Sequence, residues 1–252
     1  MGRVNNKVAL VTGGASGVGK ETVELLLKEG AYVAFGDIDD QAGEALAKAC
    51  GERALFLHHD VSNEAEWQQV IAKVQSHFGP LDILINNAGI LLPGSIETAT
   101  LAQFRQLMQV NADSCFLGCQ QGVAAMKERG GSIVNMASVS TWLPIEGYAG
   151  YSASKAAVAA LTRATALYCR KNGLAIRVNS LHPDGIYTPM MKATAPGVPE
   201  KYLLFDPKVN PKGRAIMPEH IAKVLLFLAS DDSMAISGAE IKADSAILGM
   251  GL

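Results

Sequence analysis

VALVTGGASGVGK, residues 8–20, decides the fold: an apolar run, a glycine-rich turn and the start of a helical pattern follow one another without a gap. VALV (8–11) reads as a buried strand and the pattern over 18–29 as a helix. Glycines between them permit a tight turn, and their missing side chains let backbone N–H groups approach a pyrophosphate at the helix N-terminus. The spacing is Gly13-xxx-Gly17-x-Gly19, with no Gly-Lys-Ser or Gly-Lys-Thr after it, which argues against a P-loop. The next apolar run, YVAFG (32–36), ends in Asp37. An acidic side chain there can accept hydrogen bonds from ribose hydroxyls and repels a 2′-phosphate. Position 15 is Ala rather than a basic residue, so NAD is favoured over NADP. The alternative is that Asp37 only begins the DIDD turn or caps the helix after it.

Outward from this unit the rhythm repeats. ALFLH (54–58), DILIN (82–86), SIVNM (132–136) and IRVNSL (176–181) read as further strands, and AEIKA (239–243) as a seventh. Their continuous apolar character fits strands buried on both faces, as in a parallel sheet. Helical patterns lie between them at 40–50, 64–78, 101–127, 151–171 and 219–229, with start signals such as Ser62 ahead of Glu64 and Glu66, or Pro218 beside Glu219. The expected fold is α/β: a single-domain, doubly wound, Rossmann-like parallel sheet of about seven strands with helices on both faces. No linker or repeat divides residues 1–252. The stretch 182–217, rich in proline and without a clear strand, breaks the rhythm; its 187–217 portion is read as a substrate loop.

Composition excludes several functions. With 49% hydrophobic residues and a net charge of −2, the chain has ample core and no electrostatic reason to bind nucleic acid or an anionic membrane. No apolar run reaches the ~20 residues of a membrane span, and MGRVNNKVALVTGG lacks a signal peptide's apolar region. A cytoplasmic protein is expected. Cys50, Cys115, Cys119 and Cys169 show no CxxC spacing. Cys115 and Cys119 read as helix packing, and His58 and His59 as structural, so no metal site is expected.

One further motif carries chemistry. In YSASK, Tyr151 and Lys155 stand at i and i+4, on one face of an alanine-rich helix. The spacing alone is weak, but other motifs accompany it. TGGASGVG carries Gly13, Ser16, Gly17, Val18 and Gly19; HHDV carries Asp60 and Val61; NNAG carries Asn87, Ala88 and Gly89. Asn111 follows in the next helix, and Ser138, in NMASVS, stands thirteen residues before Tyr151. In this set and its order the chain resembles the short-chain dehydrogenase/reductase family over essentially its full length.

The resemblance implies roles for these residues. Ser138, Tyr151, Lys155 and Asn111 would form the catalytic set. Tyr151 is the acid/base, and Lys155 lowers its pKa from about 10 while holding the nicotinamide ribose. Ser138 bonds the substrate oxygen, and Asn111 supports a water that carries protons away. The glycine turn, the Asp60–Val61 pair at the adenine, the NNAG segment, and Pro183, Gly185, Ile186 and Thr188 at the nicotinamide would hold NAD, or NADH in the reductive direction. Simpler readings stay open: Asn111 bonding helix backbone, Ser138 as a turn residue. Asp184 stands where the family usually has glycine, and KADSA lacks the glycines usual after Asp244.

NNAGILLPG, MASVSTWLPIEGYAGYSASKAAV and HPDGIYTPMM resemble the bacterial 3β/17β-hydroxysteroid dehydrogenases of that family. This implies a steroid or similarly bulky secondary alcohol in a pocket formed by Leu91, Leu92, Trp142, Tyr148, Tyr187, Met190 and Met191. The alternative is that the loop packs on a neighbouring subunit. A 3-oxoacyl-carrier-protein reductase, a general carbonyl reductase and a non-catalytic dinucleotide sensor are the rival functions. The expected partners are a small apolar substrate and copies of the same chain, since family members are commonly dimers or tetramers; alanines along 153–164 would suit close pairing of that helix.

Overall fold

Val8–Thr12 forms β1, and all five residues are buried because the strand is covered on both faces. The structure is a computed structural model that describes residues 2–194 and 196–249. After β1 come α1 (Gly17–Lys28), β2 (Tyr32–Asp37), α2 (Asp40–Cys50), β3 (Ala54–His58), α3 (Glu64–Phe78) and β4 (Ile83–Asn86). The second half holds α4 (Leu101–Leu107), α5 (Ser114–Met126), β5 (Gly131–Met136), α6 (Ala149–Lys171) and β6 (Ile176–Pro183). Then follow β7 (Gly185–Ile186), α7 (Pro189–Thr194), α8 (Glu200–Leu203), β8 (Ala215–Ile216), α9 (Pro218–Ala229) and β9 (Glu240–Ala243).

Seven strands form one sheet in the order β3-β2-β1-β4-β5-β6-β9, and every pairing is parallel. Side chains alternate across it. Val8 and Leu10 join Trp67, Val70 and Val158 on the face covered by α3, α5 and α6, whereas Ala9 and Val11 join Val23, Leu26 and Leu225 beneath α1 and α9. The chain reverses its direction of travel across the sheet between β1 and β4, and the crevice of a doubly wound sheet opens at such a point, beyond the strands' carboxyl ends. Among the described residues no helix is long and apolar enough to cross a membrane.

Two regions depart from the sequence reading. The single helix expected over 101–127 is broken into α4, a π-helical turn at Met108–Asp113, and α5. A π turn carries an extra residue per loop and re-aims the side chains on it; here it holds Asn111, which is buried. The 182–217 stretch contains structure: β7 pairs with β8, α7 and α8 lie between them, and Ala195 falls outside the described residues. Asp184 fixes the base of this excursion. Its carboxylate accepts two hydrogen bonds from Arg214, from Nε and from an Nη, each 2.8 Å. That partner lies thirty residues away, in chain too irregular for a periodic pattern to reveal.

Candidate active site

The turn after β1 is built to exclude side chains. A Cβ on Gly19 would stand 1.9 Å from the Gly13 carbonyl oxygen, so only glycine lets α1 begin there. Gly17 has φ of +51°, a left-handed conformation that glycine adopts freely. Ser16 stands at the N-cap position of α1 but makes no side-chain capping hydrogen bond, and no acidic residue stands in the helix's first turn. The helix N-terminus is therefore free to receive an anion, which suits a pyrophosphate. Asn87 ties this turn to the end of β4: its Nδ2 donates to the Thr12 and Gly13 carbonyls at 3.0 and 3.1 Å. The Thr12 hydroxyl accepts from the Asn87 and Ala88 N–H groups, each at 3.0 Å. So Asn87 braces the glycine turn with its amide while it also faces the cavity.

A cavity of about 890 Å³ runs from this turn across the sheet's carboxyl edge. Gly13, Ser16, Gly17, Val18, Asp37, Asp60, Val61, Asn87, Ala88, Gly89, Pro183, Gly185, Ile186 and Thr188 all face it; of the residues expected at the cofactor, Gly19 alone does not line it, its place being packed against the Gly13 carbonyl. Asp37 accepts hydrogen bonds from the Ala15 N–H (3.0 Å) and the Asp39 N–H (3.2 Å), so the carboxylate closes over the glycine turn. Asp60 accepts from the Ser62 N–H and hydroxyl. Thr188 lies against the turn, 3.2 Å from where a Gly17 Cβ would be. A cradle without side chains, an uncapped helix N-terminus and a carboxylate at the end of β2 together fit a dinucleotide.

Ser138, Tyr151 and Lys155 line the same cavity. Lys155 is buried, donates from Nζ to the Met136 carbonyl at 2.8 Å, and stands 5.8 Å from the centroid of the Tyr151 ring. Burial lowers its pKa to about 8. Burial also raises the Tyr151 phenol, with a hydrogen bond to Ser138 pulling the other way. Desolvation of the phenolate thus outweighs the Ser138 hydrogen bond.

Asn111 sits outside the cavity wall. Its Oδ1 accepts from the Ile90 N–H at 2.8 Å, while Nδ2 donates to the Ile90 carbonyl (3.0 Å) and the Ser154 hydroxyl (2.9 Å). Both amide hydrogens are engaged, so this side chain has no N–H left for a water, and its visible work is to pin Ile90. The Asn111 Oδ1 and the Lys155 Nζ flank Gly89, where a Cβ would meet them at 3.0 and 3.3 Å.

The substrate side is only partly as expected. Leu91, Tyr148, Met190 and Met191 line the cavity; Leu92, Trp142 and Tyr187 do not. Trp142 instead covers His182, with ring centroids 4.4 Å apart. The Tyr187 hydroxyl donates to Glu200, and Lys192 stands over its ring. Ile90, Gln106, Gln109, Val110 and Val139 also line the wall and escaped the sequence reading, whereas Thr194 and Arg214 line it from within the 187–217 stretch expected at the substrate, and Ile145 from the segment after Ser138. Gln106 and Gln109 come from the α4–π junction, which no pattern of the sequence marked.

A parallel doubly wound sheet, a side-chain-free anion cradle and a serine, tyrosine and lysine beside it define a dinucleotide-dependent oxidoreductase site. A family model described as enoyl-(acyl carrier protein) reductase matches residues 13–246. The chain is 65% identical over 251 residues, 99% of each chain, to a 3-beta-hydroxysteroid dehydrogenase of Comamonas testosteroni. It is 41% identical over 244 residues, 96% of this chain and 90% of the relative, to a 3-alpha-(or 20-beta)-hydroxysteroid dehydrogenase of Mycobacterium tuberculosis. An NADP-dependent (R)-specific alcohol dehydrogenase of Lentilactobacillus kefiri is 35% identical over 246 residues, 96% of each chain. The chain belongs to the short-chain dehydrogenase/reductase family, whose oxidoreductases use a nicotinamide dinucleotide.

Proposed function

We propose that the protein is an NAD-dependent hydroxysteroid dehydrogenase, which interconverts a 3β- or 17β-hydroxyl and its ketone. The observation that carries this reading is the single cavity. Its one end is the glycine turn, its middle holds Ser138, Tyr151 and Lys155, and its other wall includes Leu91, Ile145, Tyr148, Met190 and Met191. A large rigid apolar ligand gains roughly 25 cal/mol per Å² of apolar surface buried against such a wall, and methionines adapt to its outline. The two hydroxysteroid dehydrogenases among its relatives support the same class.

In alcohol oxidation Tyr151 takes the hydroxyl proton at its phenolic oxygen, and Ser138 donates a hydrogen bond to the substrate oxygen as charge gathers there. Lys155 places a cation beside the phenolate and can bond the ribose of the cofactor. When bound, NAD supplies the hydride acceptor, and NADH the donor for ketone reduction. Asp37 supports NAD over NADP, because its carboxylate lines the cavity beside the glycine turn, where it would accept hydrogen bonds from a ribose and repel a 2′-phosphate. Asn111 holds the NNAG segment through Ile90. The groove of Ala157, Ala160 and Ala164 on α6 beside Phe116 on α5 suits pairing with another copy, so a homo-oligomer is part of the reading.

The test compares kcat/KM for 3β- and 17β-hydroxysteroids with that for small secondary alcohols and 3-hydroxyacyl thioesters, with NAD. A steroid advantage of tenfold or more is expected. An advantage below about tenfold, worth ~1.4 kcal/mol of transition-state binding, would remove the steroid assignment and leave a general dehydrogenase.

A further inference from the structure

Ser138 meets the cavity with its hydroxyl, but its backbone is held from the other side. Its carbonyl accepts from His182 Nδ1 at 3.0 Å. His182 lies on β6, fully buried, and its Nε2 meets the Ser180 hydroxyl at 2.8 Å. The ring is covered by Trp142, over which Lys242 stands 5.0 Å from the centroid. Burial lowers the His182 pKa to about 4, opposed by its hydrogen bond to Ser138 and reinforced by the Lys155, Arg163 and Lys242 charges; the Glu240 carboxylate is 4.0 Å from Nε2. The neutral ring has one N–H. A carbonyl can only accept, so that hydrogen is on Nδ1, and Nε2 accepts from Ser180. Ser180 thereby fixes the tautomer that can hold Ser138. His182 itself does not line the cavity.

We infer that His182 is a positioning residue for the reaction: its imidazole fixes the Ser138 backbone, and so the place from which the Ser138 hydroxyl reaches the substrate oxygen. This rests on the role given to Ser138 above. The Ser138 turn needs such a clamp because it is short. Ser138 is the extended residue that opens the 3₁₀ turn Val139–Thr141, its Oγ accepting from the Ser140 N–H at 3.1 Å. Freed from His182, the carbonyl keeps only the Thr141 N–H of that same turn, at 3.1 Å. Sub-ångström to 1 Å misplacement of a reacting group costs up to about a hundredfold in rate.

The experiment pairs two near-isosteric replacements, His182→Leu and His182→Asn, each alone and with Ser138→Ala. An asparagine Nδ2 hangs from Cγ as the imidazole Nδ1 does, so it can donate to the same carbonyl. With NAD and a 3β-hydroxysteroid, or the best secondary alcohol turned over, His182→Leu should lower kcat roughly ten- to hundredfold and leave NADH affinity, read by fluorescence, unchanged. His182→Asn should recover most of that loss. In the Ser138→Ala background His182→Leu should cost less than about twofold more, because residues acting through one another are not additive. Equal losses in both backgrounds, an Asn variant no better than Leu, or full kcat in the Leu variant would each overturn the inference. If His182→Leu does not fold, Ser180→Ala decides in its place: a several-fold loss of kcat that vanishes in Ser138→Ala supports the clamp, and an unchanged kcat refutes it. Full turnover in Ser138→Ala alone would overturn the role of Ser138 first, and the two failures are thereby told apart.

Discussion

Replacing Asp37 by serine should erase most of the discrimination between the two nicotinamide cofactors. The Asp37 carboxylate stands at the end of β2 with both oxygens bonded to backbone N–H groups, Ala15 and Asp39. Among the described residues no lysine, arginine or histidine forms an ion pair with it. Its charge therefore meets the cavity rim without a cationic partner. A 2′-phosphate of about −2 brought within ~6 Å would be repelled by about 1.4 kcal/mol at the dielectric of water and about 5.5 kcal/mol at an effective value of 20. Salt screening favours the lower part of that range. We expect wild type to prefer NAD by about a hundredfold in kcat/KM, or ~2.7 kcal/mol, and Asp37→Ser to bring the ratio within about tenfold. Adding Ala15→Arg, which supplies a guanidinium for the phosphate, should tip it toward NADP. The assay is kcat/KM for both cofactors at low and moderate salt, where the electrostatic part must shrink as salt rises. Equal values for NAD and NADP in wild type, or a ratio untouched by Asp37→Ser, would refute the reasoning.

Other outcomes follow from the same geometry. Lys155→Met removes the bond to the Met136 carbonyl and the cation beside Tyr151; turnover should fall roughly hundredfold or more and NADH should bind more weakly, and unchanged affinity would separate Lys155 from the ribose. Burial lowers His59 and His182 from 6.5 to about 4, so the folded chain binds fewer protons than the unfolded one across that window. Stability from these two rings is present above pH 6.5 and lost as pH falls toward 4, by up to about 3 kcal/mol each. Denaturation midpoints followed from pH 7 to 4.5 should decline, less steeply in His182→Asn, and equal slopes in the two proteins would contradict a buried neutral ring at 182. Asp184→Gly takes away the two-point partner of Arg214, worth about 1 kcal/mol for a pair whose guanidinium is half exposed and whose carboxylate is buried. Limited proteolysis within 185–215 should quicken, and an unchanged cleavage rate would show that the pair does not anchor this excursion.

The sheet was legible because its strands are buried on both faces. VALV, DILIN and SIVNM each fall within a residue of β1, β4 and β5, since central parallel strands leave no polar alternation to confuse their ends. Helices α2 and α3 match the expected bounds, helped by Asp39 and Asn63, whose side chains cap them. The turn after β1 was legible for another reason: a backbone cradle writes itself into sequence as glycines at fixed spacing. The substrate end has no such signature. Trp142 and Leu91 are both large and apolar and both near Ser138 or NNAG, yet one stacks on His182 and the other faces the cavity. Only the path of the backbone separates them. The π turn at Met108–Asp113 was hidden because its side chains keep a helical pattern on either side, and with it went Gln106 and Gln109. The Asp184–Arg214 pair shows the opposite case: the sequence marked Asp184 as a departure, and its partner became visible only when β7 met β8.

The most direct test of the whole account is Tyr151→Phe, which removes one oxygen from the centre of the cavity and leaves the ring that packs there. NADH binding, measured by fluorescence, should stay within about threefold of wild type, because the glycine turn, Asp37 and Lys155 are untouched; turnover should drop by roughly 10²–10⁴-fold, the usual contribution of a general acid–base group. Near-normal steady-state turnover in the folded variant would contradict the central claim that Tyr151 moves the substrate's proton.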